Sequence, residues 1–294
     1  MNQSGNSLAT RRALAPGIPS LPRRSVRKSR RQELEGKLAT LQKDYAELHT
    51  AIFEAAQVHR RLCAPRLVRY GNFEIASEIF AVRHLPGDFF TVEETHDGVL
   101  LALGDICGKG LAAGMWTTHL VGLVATHAAV TCEPESIVAG VNRDVCRMTS
   151  VPLASLFLAR LDPISGRLEY CSAGHPPALL LRANGELESL SQGGLLLGVL
   201  PAAAYVSGSV EFGQGDVLLL YSDGLIESVN ETGEEFGVAR LQEHLRRTHT
   251  ASADAMLFSL LGAVQDFAKT RSLVDDMSLV IVGHGQQMIS RIDP

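Results

Sequence analysis

The stretch Leu103-Gly104-Asp105-Ile106-Cys107-Gly108-Lys109-Gly110 decides how this chain is read. An apolar run over residues 99–104 delivers a lone aspartate to its end, and a glycine-rich turn then opens a helix at about Leu111. The lysine between glycines invites a phosphate-loop reading, which fails on spacing. A nucleotide P-loop needs four residues between its glycines and Ser or Thr after the lysine. Here three residues separate Gly104 from Gly108, and Gly110 follows Lys109.

The same arrangement recurs. Leu218-Leu219-Leu220-Tyr221-Ser222-Asp223-Gly224 drives Asp223 to the tip of an apolar strand. Leu85-Pro86-Gly87-Asp88-Phe89-Phe90 puts Asp88 beside a turn-permitting glycine, and Asp275-Asp276-Met277-Ser278 precedes the last strand-like run. One such aspartate is weak evidence, because Asp at a strand end is often a turn residue or a helix cap. Four together, Asp88, Asp105, Asp223 and Asp275 with Asp276 beside it, are costly if they fold inward without partners. Glycine next to most of them lets the backbone turn or approach a ligand closely. Hard oxygen donors with no histidine among them suit Mg²⁺ or Mn²⁺ rather than zinc.

Composition sets the frame for that site. The chain has 294 residues, 46% apolar and 20% charged, enough for one large domain with an extension. Its net charge of −5 is unevenly spread. Residues 1–32 hold eight of the 27 basic residues (Arg11, Arg12, Arg23, Arg24, Arg27, Lys28, Arg30, Arg31) and no acidic one, which leaves 19 against 32 acidic, a net of −13. An acidic body argues against nucleic-acid binding. The cysteines number five, an odd count with no Cys-x-x-Cys, so neither a disulfide framework nor a zinc site is expected and a reducing cytoplasm fits. No run of 18 uninterrupted apolar residues occurs, so no membrane span is read, and the N-terminus lacks the apolar core of a secretory signal.

The organisation follows from periodicity. Residues 1–32 read as a disordered basic tail. From 33 to 64, Leu34, Leu38, Leu41, Tyr45, Leu48, Ile52, Ala55, His59 and Leu62 alternate in steps of four and three, a heptad seam. Such a helix pairs with a second copy as a parallel coiled coil or packs back on its own domain, and Pro65 stops it. Strand-like runs follow at residues 73–82, 99–104, 155–161, 167–172, 178–182, 205–212, 216–221 and 278–282, with hairpin turns at 162–166 and 183–185. Helical patterns fall at residues 111–130, 134–148, 238–248 and 253–268. Clustered hairpins and segregated helices predict an α+β layered domain over 65–286, with a short tail at 287–294.

The order and wording of these motifs resemble the metal-dependent protein serine/threonine phosphatases (the PPM superfamily), in the bacterial branch typified by SpoIIE and RsbU. The resemblance rests on Pro86 to Phe90, on Gly104 to Gly110 with Ala112, Ala113 and Met115, and on Ala173-Gly174-His175-Pro176-Pro177. It continues through Leu197-Gly198-Val199, Tyr221 to Glu227 and Asp275 to Ser278, and covers about residues 60–284. It implies an αββα sandwich of two mainly antiparallel sheets flanked by helices, with metals held between the sheets at one edge. Pro86 departs from the family's first glycine, Thr91 stands where a second aspartate belongs, and Cys107 where serine is common.

By resemblance, Asp88, Asp105, Asp223 and Asp275 are the catalytic carboxylates. They would hold two Mn²⁺ or Mg²⁺ ions, with the main-chain carbonyl of Ile106 as a further oxygen and Asp276 as the substitute for Asp275 if the last motif is read one residue later. A metal-bridging hydroxide would attack phosphoserine or phosphothreonine. The implied substrate is a phosphorylated anti-sigma-factor antagonist in a partner-switching pathway, and the N-terminal helix would be a dimerising or signal-transmitting element, with a homodimer the expected state. The rivals are a catalytically weak or inactive binding module of the same fold that sequesters a partner, supported only by the altered first motif with Pro86 and Thr91, and a different two-metal hydrolase. Elsewhere the expectations are plainer: His175 a structural loop histidine, Lys109 a phosphate contact or a solvated lysine, Cys107 a packed thiol, and Met115 and Trp116 core residues.

Overall fold

A computed structural model describes residues 23–285 except 64, 84, 97, 149, 150, 270 and 272, with no side-chain description for 23–29. Residues 1–22 of the expected basic tail and the expected C-terminal tail at 287–294 lie outside the described residues. The chain divides into two compact units, Met1–Ala51 and Ile52–Pro294.

Helix α1 spans Arg23–Leu62. It begins well ahead of the expected boundary at 33, because Arg, Lys and Ser carry a helix adequately once it is propagating and no proline interrupts residues 23–62. Glu33–Lys37 (2.6 Å) and Arg31–Glu35 (2.7 Å) add the small i,i+4 support that surface helices use. Along the first unit the seam residues Leu34, Leu38, Leu41, Tyr45 and Leu48 are all exposed.

The second unit is built on two sheets. The first runs in the order β1 (Leu67–Tyr70), β2 (Phe73–Phe80), β12 (Met277–His284), β11 (Val217–Tyr221), β7 (Ala178–Leu181), β8 (Leu187–Leu190). The second runs β10 (Gly208–Glu211), β6 (Arg167–Ala173), β5 (Ala154–Leu161), β4 (Gly98–Ile106), β3 (Phe89–Thr95). Every pairing in these two orders is antiparallel; the short β9 (Gly193–Gly194) adds to β6 in parallel. Helices α2 (Leu111–Ala128) and α3 (Pro134–Arg147) cover the second sheet, while α5 (Gly237–Thr248) and α6 (Ala253–Ala268) cover the first. A single turn, α4 (Asp223–Ile226), follows β11. The layers are α, β, β, α, as the sequence predicts.

Side-chain alternation along the strands explains the layering. Leu218 and Leu220 of β11, Val280 and Val282 of β12, and Val99, Leu101 and Leu103 of β4 face one another between the sheets. Their neighbours Leu219, Tyr221, Leu279 and Ile281 face α5 and α6. Leu100, Ala102 and Ile106 face α2 and α3. Strands buried on both faces read as unbroken apolar runs, which is why β11 and β4 were legible.

Three differences from the sequence reading have tertiary causes. Strand β3 was not anticipated; it is an edge strand whose end, Glu93-Glu94-Thr95, shows no apolar alternation, and it forms because it pairs with β4 along its length. The expected strand at 205–212 shortens to β10, an edge strand that pairs with β6 over Gly208–Glu211. Met115 is 66% exposed rather than core, since the buried face of α2 carries Ala113, Gly114, Thr117, Leu120, Val121 and Val124. Trp116 is partly buried against the α2–α3 layer.

Leu218→Ala, at the centre of the inter-sheet layer, is expected to cost about 2–5 kcal/mol in urea unfolding, the range for a large aliphatic truncated in a filled core.

Candidate functional site

Strand parity places the acidic residues. Asp105 shares the parity of Leu101 and Leu103, so it continues the inter-sheet face of β4 to the strand's last turn of pleat. It lies inside β4, paired with Ser155 of β5, rather than beyond the strand end. Asp88 immediately precedes β3 with the parity of Phe90, Ser222 follows β11 with that of Leu220, and Ser278 and Asp276 share that of Val280. These polar side chains therefore collect at one end of an otherwise apolar layer.

Asp88 is 1% exposed, and Ser278 Oγ donates to its Oδ2 at 2.5 Å. Burial, then the neighbouring Asp105, push its carboxyl well above the ordinary range; the Ser278 and Ser222 hydroxyls oppose that. Asp105 is raised to about 6 by burial and by Asp223. Asp223, at the start of α4, is raised by burial and by Asp275. These mutual effects show Asp88, Asp105, Asp223 and Asp275 gathered in one electrostatic neighbourhood.

Asp276 is used differently. Its Oδ1 accepts Val82 N at 2.7 Å and its Oδ2 accepts Gly87 N at 2.6 Å. Both oxygens are thus occupied in strapping the 82–87 loop to the start of β12. Asp275 is the half-exposed member of the pair, with Oδ1 accepting Asp276 N at 2.9 Å and Oδ2 2.7 Å from Lys109 Nζ. The loop that carries Asp88 is fixed a second time, at Gly87 O, by Ile106 N (3.3 Å) and the Thr117 hydroxyl (2.8 Å). Pro86 therefore leaves Asp88 firmly placed.

Close approach favours glycine at one position and requires it at another. A Cβ on Gly87 would come within 3.1 Å of Ile106 O and 3.2 Å of Gly108 O; one on Gly224 would meet Asp276 O at 2.0 Å. The first lets the Asp88 loop lie against the Asp105 turn, and the second lets the Asp223 turn lie against the Asp275–Asp276 backbone.

The remaining expectations resolve on geometry. His175 is buried, 2.7 Å from Ser155 Oγ through Nδ1, and burial lowers it to about 3, so it is a neutral, structural ring. Cys107 is exposed rather than packed, because the turn it occupies leaves the sheet after Ile106. Lys109 is an ion-pair partner of Asp275 and a donor to Val274 O at 2.7 Å, neither free nor simply solvated. Sequence reasoning assigned no part to Ser222, Ser278 and Thr117; their signal was a hydroxyl at an inward position next to an apolar run.

The donor set fits hard divalent cations: carboxylates and main-chain oxygen, crowded so that each raises the proton affinity of the next. Among the described residues, no three or more His, Cys, Asp or Glu side chains stand in ready-made ligand spacing, so the fit rests on donor chemistry and charge. No helix among the described residues is long and apolar enough to cross a membrane.

The family described as Stage II sporulation protein E (SpoIIE) matches residues 95–285. Protein IcfG of Synechocystis is 25% identical over 214 residues, 63% of this chain but 34% of IcfG. Phosphoserine phosphatase RsbU of Bacillus subtilis is 23% identical over 248 residues, 83% of this chain and 72% of RsbU. The chain thus spans about a third of the first relative and under three quarters of the second. Among solved structures, the SiaA-PP2C domain of Pseudomonas aeruginosa superposes with a TM-score of 0.71 at 16% identity, over 80% of this chain and 96% of that domain. At that identity the likeness is one of fold.

Asp105 sets a pH dependence whose sign is fixed. With its carboxyl raised to about 6, the folded chain holds a proton that the unfolded chain releases near pH 4, so stability falls as the pH rises between about 4 and 6. Urea unfolding in EDTA should show that decline, and Asp105→Asn should flatten it.

Proposed function

The chain belongs to the SpoIIE family, and on that premise we propose that it is a Mn²⁺- or Mg²⁺-dependent phosphatase of phosphoserine and phosphothreonine in proteins. The observation that carries this reading is the gathering of Asp88, Asp105, Asp223 and Asp275 at one end of the inter-sheet layer, with burial and like charge resisting the ionisation of Asp88, Asp105 and Asp223. Buried carboxylates that raise one another's proton affinity are a poor structural choice and a suitable cation-binding one.

In this reading those four carboxylates and the Ile106 carbonyl hold two ions. Asp276 is read as the strap of the pair, since it is the buried member and its two oxygens hold Val82 N and Gly87 N of the Asp88 loop. The ions would supply Lewis-acid polarisation of the phosphate and acidify water at neutral pH. The chain's own part is placement. Ser278 keeps the Asp88 carboxylate oriented, Asp276 keeps the Asp88 loop down, and Gly224 keeps Asp223 against the Asp275 turn. His175 takes no part in proton transfer, because its ring is buried and held neutral. No covalent phosphoenzyme is required where water is the attacking group.

The substrate we infer is a phosphorylated regulatory protein of the anti-sigma-factor-antagonist type, in keeping with the partner-switching setting of the SpoIIE and RsbU branch. A reducing, cytoplasmic setting is supported by all five cysteines standing as free thiols. The exposed seam Leu34, Leu38, Leu41, Tyr45, Leu48 supports pairing of two α1 helices in a homodimer.

Two measurements test this. With Mn²⁺ present, the purified chain should hydrolyse p-nitrophenyl phosphate and a phosphoserine protein, and Asp105→Asn should lower the rate by about a hundredfold or more, the scale on which one charge-stabilising group acts. Binding of a partner without turnover would favour the inactive-module reading instead. Light scattering should give twice the chain mass, and Leu41→Glu should halve it while leaving the fold of the second unit intact; an unchanged mass for Leu41→Glu would remove the dimer.

A further inference from the structure

Lys109 sits where its charge has a consequence. Its Nζ lies 2.7 Å from Asp275 Oδ2 and donates to Val274 O at 2.7 Å, so one ammonium ties the glycine-rich turn after β4 to the turn before β12. The two turns are distant in sequence and belong to different sheets. Lys109 is flanked by Gly108 (φ 133°) and Gly110 (φ 79°), backbone conformations that other residues rarely adopt. The chain thus bends on both sides of this residue. A cation just ahead of the N-terminus of α2 is also disfavoured by the helix dipole. The pair is about a third exposed, with side-chain exposures of 33% and 37%, and pairs this open add little to stability. Stability therefore does not account for the arrangement.

Charge does. Asp275 has both oxygens engaged, Oδ1 by Asp276 N and Oδ2 by Lys109. The lysine's field also reaches Asp223 and Glu227. A fixed positive charge among carboxylates lowers their collective attraction for a dication and offers one of them a partner in its place.

We propose that Lys109 is an internal counter-cation of the candidate metal centre: its ammonium holds Asp275 in the metal-free chain and competes with a divalent ion for that carboxylate. The proposal rests on the metal reading given above and adds that this chain sets its own ion affinity through Lys109. The affinity is held low, so the extent of loading responds to ion concentration and to anything that moves the 273–276 turn.

The test uses the full chain stripped with EDTA and titrated with Mn²⁺ by calorimetry. Lys109→Met should bind Mn²⁺ about tenfold more tightly than wild type, and Lys109→Arg should bind as wild type does. The gain should vanish in the Asp275→Asn background. Hydrogen exchange gives a readout independent of turnover: metal-free Lys109→Met should exchange faster over residues 273–276, and Mn²⁺ should restore the slow rate. If wild type binds Mn²⁺ and Lys109→Met binds it no more tightly, this proposal alone falls. If wild type takes up no Mn²⁺ at all, the metal reading falls and takes the proposal with it.

Discussion

Carboxylates of like charge, brought into a shared and mostly buried space, push one another apart, and the fold has to hold them there by other means. That constraint organises one whole end of the second unit. Asp276 carries much of it. By accepting both Val82 N and Gly87 N, it fastens the loop bearing Asp88 to the first residues of β12. Ile106 N and the Thr117 hydroxyl fasten the same loop from the other side, at Gly87 O. Charge-assisted hydrogen bonds of this kind are among the stronger polar contacts a protein makes. They are spent here on a loop with no regular structure of its own.

Sheet geometry supplies the rest. Because side chains alternate strictly along a strand, a polar residue at an inward position near the strand end must face the mouth of the inter-sheet layer. Asp105, Ser155, Ser222 and Ser278 all occupy such positions. Close backbone contact then brings the turns together. Gly87 lies against the turn after Asp105 at a separation tight for a Cβ, and Gly224 lies against the Asp276 carbonyl at one that leaves no room for it. The glycines beside the aspartates thus serve contact between turns, and the aspartates converge because the turns do.

How much of this the sequence discloses depends on whether the cause is local. The apolar runs of β4, β11 and β12, the turn at 162–166 and the full extent of α6 depend on neighbours in sequence, and they were legible. So was the identity of the acidic residues, because lone aspartates after apolar runs are conspicuous. The division of labour between Asp275 and Asp276 was not. It is fixed by Val82, Gly87 and Lys109, none of which is near in sequence. The edge strand β3 exists through its pairing with β4, and the exposure of Met115 and Cys107 depends on which face of α2 and which side of a turn the tertiary structure covers. The identical residue types would have read the same with those faces reversed.

One strand offers an internal control for the functional reading. Asp216 stands just before β11 and is 5% exposed, nearly as deeply set as Asp88 and Asp276 at the opposite end. Its oxygens accept Arg182 Nη1, Ala183 N and Gly213 N, each at 2.9 Å. A buried carboxylate that serves structure is met by a guanidinium and by amides, as the cost of burying charge demands. At the far end of the same strand the chain does otherwise. Asp88, nearly dry, is given two hydroxyls and another carboxylate, and Asp105 is given Asp88 and Asp223. The fold therefore has the means to neutralise a buried aspartate and does so at one end of β11. Leaving the other end short of positive charge, with one lysine set at its margin, is what the proposed cation-binding reading requires.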